Sequence, residues 1–373
     1  MKNRFEEKKV KIACSLGISL FLVILCFSGC QIPGGEAGVP DVYAAGYSAD
    51  SSGREVPGYW KNGVWMELPA LGAYPASVTS LVVSGTDIYA GGWCWSGSRS
   101  TTQAPGYWKN NVWTNCTAEC SQPMVTSLVI SGSNVYALGY YWTKSFYGLV
   151  QAPGYWKDGD WVGLPTPSIC GASVTSLIVS GTDVYVGGSC SVTQVSSTSN
   201  SKRTVLVRRP GFWVNGTWTA LADPGYGGTV SSLTASGGVL YAGGCCEMPP
   251  SQLDPQTSLS EAGYWKNGSW IALGAPAAGN PRVISLVVSG DDVYACGYDG
   301  SGPGYWKNGT WTALPEQAQV TSLAVCENDV YVAGSASSSG PGQPGYWKNG
   351  TWNDLAPMDG TKGGQAVSLV VVR

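Results

Sequence analysis

From residue 41 to the C-terminus, apolar stretches of strand length alternate with polar turn signals in a phrase that recurs seven times. Its clearest first half is Val174-Thr-Ser-Leu-Ile-Val-Ser-Gly-Thr-Asp-Val-Tyr185, and its cleanest second half is Pro303-Gly-Tyr-Trp-Lys-Asn-Gly-Thr-Trp-Thr-Ala-Leu-Pro315. Each copy predicts four strands. Strand A is the β-branched Val-Thr-Ser-Leu-Val-Val-Ser type. A Ser-Gly-x-Asp turn leads into strand B, Val-Tyr-Ala-Gly-Gly. Strand C is Gly-Tyr-Trp-Lys, and Asn-Gly turns the chain into strand D, Trp-x-x-Leu-Pro. Asn-Gly between strand residues is a strong hairpin signal, because a type I′ turn needs positive φ at both central positions.

Four residue series keep the same register through all seven copies. Strand A leucines fall at Leu81, Leu128, Leu177, Leu233, Leu286, Leu323 and Leu369. The strand B series is Tyr43, Tyr89, Tyr136, Tyr185, Tyr241, Tyr294 and Tyr331. In strand C the tryptophans are Trp60, Trp108, Trp156, Trp213, Trp265, Trp306 and Trp347; in strand D they are Trp65, Trp113, Trp161, Trp218, Trp270, Trp311 and Trp352. A period of about 48 residues means blades or a solenoid rather than separate domains. The ends choose between these. The repeat region opens on a strand B (Asp41 to Gly46) and finishes on a lone strand A (Ala366 to Val372), so seven four-stranded sheets are complete only if the last strand joins the first. The expected fold is all-β, a seven-bladed β-propeller over residues 41–373 whose C-terminal strand A joins N-terminal strands B–D and closes the ring.

The repeat resembles the Kelch type. The matching residues are the glycine pairs after strand B (Gly91-Gly92, Gly187-Gly188, Gly243-Gly244) and the later Trp311 to Pro315. In four blades the pair becomes Ala45-Gly46, Leu138-Gly139, Cys296-Gly297 or Ala333-Gly334. The resemblance implies the propeller and a habit of binding, but no particular chemistry.

The N-terminal segment has a different pattern. Lys2, Arg4, Lys8, Lys9 and Lys11 precede an almost wholly apolar Ile12 to Phe27, the pattern of a signal peptide over residues 1–29. Phe27-Ser28-Gly29-Cys30 resembles the lipobox of bacterial lipoproteins. That resemblance implies cleavage before Cys30, diacylglycerol and an acyl chain such as palmitate on Cys30, and a tether over residues 30–40. The expected address is extracytoplasmic, on a membrane, at the outer membrane or cell surface, with lipid as one partner.

Composition removes several chemistries. The chain has no histidine, which excludes a Ser-His-Asp site, His-bound zinc and imidazole acid–base catalysis. Charged residues make up 12% and the net charge is −3, so no nucleic-acid footprint is present. No catalytic residue, metal site or cofactor is expected, and the propeller is expected to be monomeric.

Function is therefore sought where the repeat is interrupted, in the B–C and D–A connections on one face. Trp93 and Trp95 of blade 2 and Trp142 of blade 3 are the tryptophans outside the repeat, and blade 3 adds Tyr140, Tyr141, Phe146 and Tyr147. These aromatics suit stacking on sugar rings or a protein hot spot. The long blade 4 connection carries Lys202, Arg203, Arg208 and Arg209. Of 12 cysteines, Cys14, Cys26 and Cys30 belong to the leader and lipobox, leaving an odd number in the propeller. Cys116 with Cys120, and Cys170 with Cys190, are the candidate disulfides. The leading expectation is a surface-anchored, non-catalytic binding propeller whose partner is a glycan or an envelope or host protein. Two alternatives stay open: a carbohydrate-active enzyme using connection carboxylates such as Glu119, Glu247, Asp299 and Glu316, and an envelope scaffold subunit.

Overall fold

The computed structural model describes residues 38–71, 75–96, 102–117, 121–145, 148–167, 171–198, 201–223, 227–248, 259–274, 279–336, 342–360 and 363–373. Over these, 28 strands form seven four-stranded antiparallel sheets, each in the order A-B-C-D. Six blades are built from consecutive strands. In blade 1, strand A is Gly364–Val372, and it pairs with strand B, Asp41–Ala49, from Asp41↔Val372 to Ser48↔Gly364. The last strand thus closes the ring on the first, as the repeat register requires, and leaves no open blade edge around the axis.

The predicted turns form. Asn62 and Gly63 both have positive φ (50° and 83°), and equivalent Asn or Asp residues recur in the other C–D turns. The Asn62 Oδ1 accepts from the Val42 N–H at 2.8 Å, and its Nδ2 donates to Asp41 at 2.7 Å. One amide side chain therefore ties the C–D turn to the start of strand B. Blades 2, 4, 6 and 7 repeat the arrangement with Asn110, Asn215, Asn308 and Asn349.

Strand A carries a β-bulge in every blade. Pairing with strand B skips Thr79, Thr126, Thr175, Ser231, Ile284, Thr321 and Val367. The extra residue pushes a strand A carbonyl onto the Cα of the second glycine after strand B. A Cβ at Gly46, Gly92, Gly139, Gly188, Gly244, Gly297 or Gly334 would collide with that carbonyl oxygen. This explains why the second glycine never varies while the first does. At Gly91 a Cβ would meet side chains of the next blade rather than backbone: Leu128 at 2.6 Å and Val125 at 3.2 Å.

The blades pack through their tryptophans. Every strand C Trp is at most 2% exposed, and its ring lies 4.3–4.5 Å from the strand D Trp. The indole N–H reaches the D–A connection of the preceding blade: Trp60 to Ala356 O, Trp108 to Pro69 O, Trp156 to Thr117 O, Trp213 to Pro165 O and Trp265 to Ala222 O, at 2.6–2.8 Å. A buried indole removes roughly 150–250 Å² from water, on the order of 4–6 kcal/mol before ordering costs. The repeated aromatics are therefore inter-blade core.

The two glycines of a pair should respond differently to one methyl group. Gly92→Ala is expected to lose about 3 kcal/mol or more, since backbone must move, whereas Gly91→Ala loses about 1 kcal/mol, alanine already standing at the equivalent Ala45 and Ala333. Chemical denaturation of the two variants checks the order; equal losses would refute the bulge argument.

Candidate functional site

Three regions of the propeller can carry chemistry: the axis, the A–B/C–D face and the B–C/D–A face. At the axis, Ser80, Ser127, Ser176, Ser232, Ser285, Ser322 and Ser368 all line a channel of about 320 Å³. Their hydroxyls are built into the frame. Ser80 Oγ accepts from the Leu128 N–H of the next blade at 3.0 Å, and Ser176, Ser232, Ser322 and Ser368 serve Leu233, Leu286, Leu369 and Leu81 in the same way. The preceding bulge hydroxyl works in the same direction: Thr79, Thr175, Ser231 and Thr321 each donate to a carbonyl of the following blade at 2.6–2.9 Å. The Thr-Ser pair is thus an inter-blade clasp.

The A–B/C–D face is occupied by its own repeat. Lys61, Lys109, Lys307 and Lys348 pair with Asp41, Asp87, Asp292 and Asp329 at 2.7–3.3 Å, and each ammonium sits 5.2–5.4 Å from the centre of the strand B Tyr ring. The four carboxylates titrate below their ordinary value. The Asn hydrogen bond is the foremost cause at Asp41 and Asp292, and the Lys hydrogen bond at Asp87 and Asp329. Blade 3 exchanges the partners, with Asp158 in the turn accepting from the Val135 N–H at 2.8 Å. Lys157 and Lys266 sit 5.6 and 5.5 Å from the Tyr136 and Tyr241 ring centres, so all six recurring lysines lie over strand B rings and four of them are ion-paired.

The B–C/D–A face differs from blade to blade, and its long connections are strands rather than loops. In blade 3, strands B and C run Asn134–Ser145 and Gly148–Lys157; in blade 4 they run Asp183–Thr198 and Ser201–Val214. Blade 6 has only Asp292–Tyr298 and Pro303–Lys307. Strand alternation then sorts the candidate aromatics. Trp93 and Trp95 share a face and meet edge-on at 6.1 Å. That face is the one on which Gly91 abuts Leu128 of blade 3. Tyr140 and Trp142, 5.9 Å apart, extend the face on which Leu138 packs against Val174 and Leu177 of blade 4. Tyr141 points the other way and packs on Trp161 at 5.5 Å, among the residues that blade 3 shares with blade 2. The expected patch is therefore two: Trp93, Trp95 and Tyr141 flank the boundary of blades 2 and 3, while Tyr140 and Trp142 face blade 4. All five are half-buried. Phe146 and Tyr147 lie outside the described residues.

A second cavity of about 260 Å³ opens at the base of the blade 3 hairpin, against the D–A connection into blade 4. Thr143, Val150, Gln151, Pro153, Leu164 and Thr166 contribute to its wall. Sequence reasoning passed over it because most of these positions are polar or small and none stands out by type. Their one signal is that Thr143, Val150 and Gln151 lie in the stretch that lengthens blade 3.

Charged candidates are largely spoken for. Arg209 is paired with the buried Asp223 and donates to Gln194 at 2.9 Å, whereas Arg208 is exposed. The side chains of Lys202 and Arg203 lie outside the described residues. Asp299 accepts from the Ser301 N–H, the Ser301 hydroxyl and the Gly302 N–H at 2.7–3.0 Å. Burial works to raise its pKa, but these bonds hold it below the ordinary value. Glu247 and Glu316 are exposed, on blades 5 and 6, and Glu119 lies outside the described residues. Among the described residues, no three Cys, Asp or Glu side chains gather as metal ligands.

Cys116 and Cys190 are buried free thiols; Cys120 and Cys170, their expected partners, lie outside the described residues, as does Cys30. Burial pushes the thiols of Cys94, Cys116, Cys190 and Cys296 up to about 12, because desolvation disfavours the thiolate. Cys245 alone among the seven described cysteines is only half-buried.

No protein-family model matches the chain, and no curated protein matches it. Solved structures do resemble it. The β-propeller domain of the Trilobed protease from Pyrococcus furiosus, described as having an open velcro topology, is 8% identical, with a TM-score of 0.50 over 86% of this chain and 96% of that one. A structure named YjhT is 14% identical, with a TM-score of 0.35 over 75% of this chain and 95% of that one. At such identity the first likeness establishes the propeller fold and nothing further. The present ring differs from an open one in the pairing of its last strand with its first.

Thiol accessibility follows directly from these positions. At pH 8 in native buffer, iodoacetamide is expected to label Cys245 well before Cys94, Cys116, Cys190 or Cys296, and all of them together once the chain is denatured. The sign is fixed by pKa: thiols raised to about 12 hold almost no thiolate at pH 8, and labelling should rise only as pH approaches that value. Peptide mapping by mass spectrometry reads the order.

Proposed function

We propose that this protein is a membrane-anchored binding propeller, held through lipid on Cys30, which engages a glycan or protein ligand with its B–C/D–A face. The repeat is a Kelch-like variant on this reading, and residues 1–29 are its leader. The observation that carries the proposal is the contrast between the two faces. On one, Asp, Asn, Lys and Tyr are spent on each other in blade after blade. On the other, hairpins of unequal length hold half-buried aromatics that no repeat position requires.

Chain direction supports the same arrangement. Strand B of blade 1 begins at Asp41, opposite Val372, at the A–B/C–D end of the sheet. A tether from Cys30 that enters there leaves the hairpin face turned away from the anchor. Trp93 and Trp95 on blade 2 and Tyr141 on blade 3 offer ring faces and edges at one blade boundary, a geometry suited to stacking on a pyranose or gripping a protein side chain.

Replacing Trp93, Trp95 and Tyr141 together by Ala in the full chain, reconstituted in lipid nanodiscs, is expected to weaken ligand capture at least tenfold on a glycan array or in envelope crosslinking. The unfolding midpoint should move by only a few degrees, since the inter-blade Trp core is untouched. Cys30→Ala should move the protein from the membrane to the soluble fraction and abolish acyl labelling. Unchanged capture by the triple variant sinks the assigned surface; a Cys30→Ala protein that stays membrane-bound sinks the anchor.

A further inference from the structure

The cavity at the base of the blade 3 hairpin has a chemistry distinct from the aromatic boundary. Val150, Pro153 and Leu164 give it an apolar floor, with Pro153 and Leu164 buried. Thr143, Ser145, Gln151 and, from the D–A connection, Thr166 are the polar residues of its lining. None of the described lining residues is charged. The Gln151 amide lies close enough to the Tyr140 hydroxyl to favour its ionised form. The facing wall is held: the Leu164 N–H donates to Pro153 O at 2.9 Å, and Gly171, at φ 88°, leaves no side chain where a Cβ would already sit 3.1 Å from Val150.

We propose that this cavity is a subsite for one neutral hexose unit. Amide and hydroxyl groups both donate and accept, which matches sugar hydroxyls that do the same. An apolar floor suits the C–H face of a pyranose. The absence of any lysine or arginine in the described wall argues against uronic or sialic acids, whose carboxylates call for charged partners. At about 260 Å³ the space lies just below the ~300 Å³ lower end of small-molecule pockets, so it takes one ring and leaves the rest of a chain outside. The inference rests on the binding reading of the B–C/D–A face and assigns that face a ligand class.

The test is saturation-transfer NMR on the full-length protein in micelles, with methyl glucoside, methyl galactoside and methyl mannoside as neutral probes and methyl glucuronide as the charged one. At least one neutral glycoside should bind, and methyl glucuronide should not. Gln151→Ala should weaken that binding about tenfold, and Thr143→Trp, an exposed position whose indole fills the cavity, should abolish it. The Trp93, Trp95, Tyr141 triple alanine variant should still bind the monosaccharide. If only the triple variant loses the sugar, the cavity is overturned while the wider binding reading stands. If the wild type ignores every neutral glycoside yet captures a larger ligand, the same holds. Equal binding of methyl glucuronide overturns the neutral class.

Discussion

One extra residue in strand A governs the rest of the molecule. The bulge leaves two successive residues of strand A opposite one of strand B, so the side chains of Thr and Ser both reach toward the next blade although only the first leaves the ladder. Their hydroxyls then bridge to the neighbour, one donating to a carbonyl and the other accepting an N–H. Each such bond contributes about 1 kcal/mol net. More important, an unpaired backbone group at the crowded axis costs more than that, so the clasp removes a penalty as well as adding a bond. The same bulge forces a carbonyl against strand B, and only glycine tolerates it there.

The exceptions sharpen this. Ile284 and Val367 occupy the bulge position in blades 6 and 1 and have no hydroxyl to offer. Those blades keep the serine of the pair. Ser368 still accepts from Leu81, which joins the closing strand to blade 2. Ser322 reaches Leu369 from the other side, with Thr321 donating to Ala366. The closing strand is therefore clasped by both neighbours as well as paired to strand B of its own blade. The ring holds because its last strand is treated like any other.

Fold was legible because these constraints act on residue type at fixed spacing. A glycine that meets backbone cannot vary, and an indole that fills an inter-blade space varies little, so seven copies spell the architecture directly. The network on the A–B/C–D face was only half legible. Asn-Gly announced its turn, but nothing local linked Lys61 to Asp41 twenty residues earlier; that meeting depends on two turns arriving at one face. The aromatic site was least legible. Treating the stretch after Gly139 as loop merged Tyr140, Tyr141 and Trp142 into one cluster. Once it is strand, period-two alternation separates Tyr141 from the other two. The missing information was hairpin length, which is set by tip residues and not by the repeat.

The division of labour follows from symmetry. A side chain that serves the frame must serve it in every blade, and so recurs; a side chain that serves one ligand needs one place, and so interrupts. Blade 3 departs from the pattern at several places. It places Leu138 where other blades have Gly, Ala or Cys, exchanges its turn Asn for Asp158, and lengthens its hairpin around Tyr140, Tyr141, Trp142 and Gln151. Leu138 joins the core shared with blade 4, which stiffens the strand from which Tyr140 and Trp142 project. Rigid support below, variable side chains above and neutral chemistry in the cavity between them converge on this one blade. The frame gives up its regularity where recognition has most to gain from it.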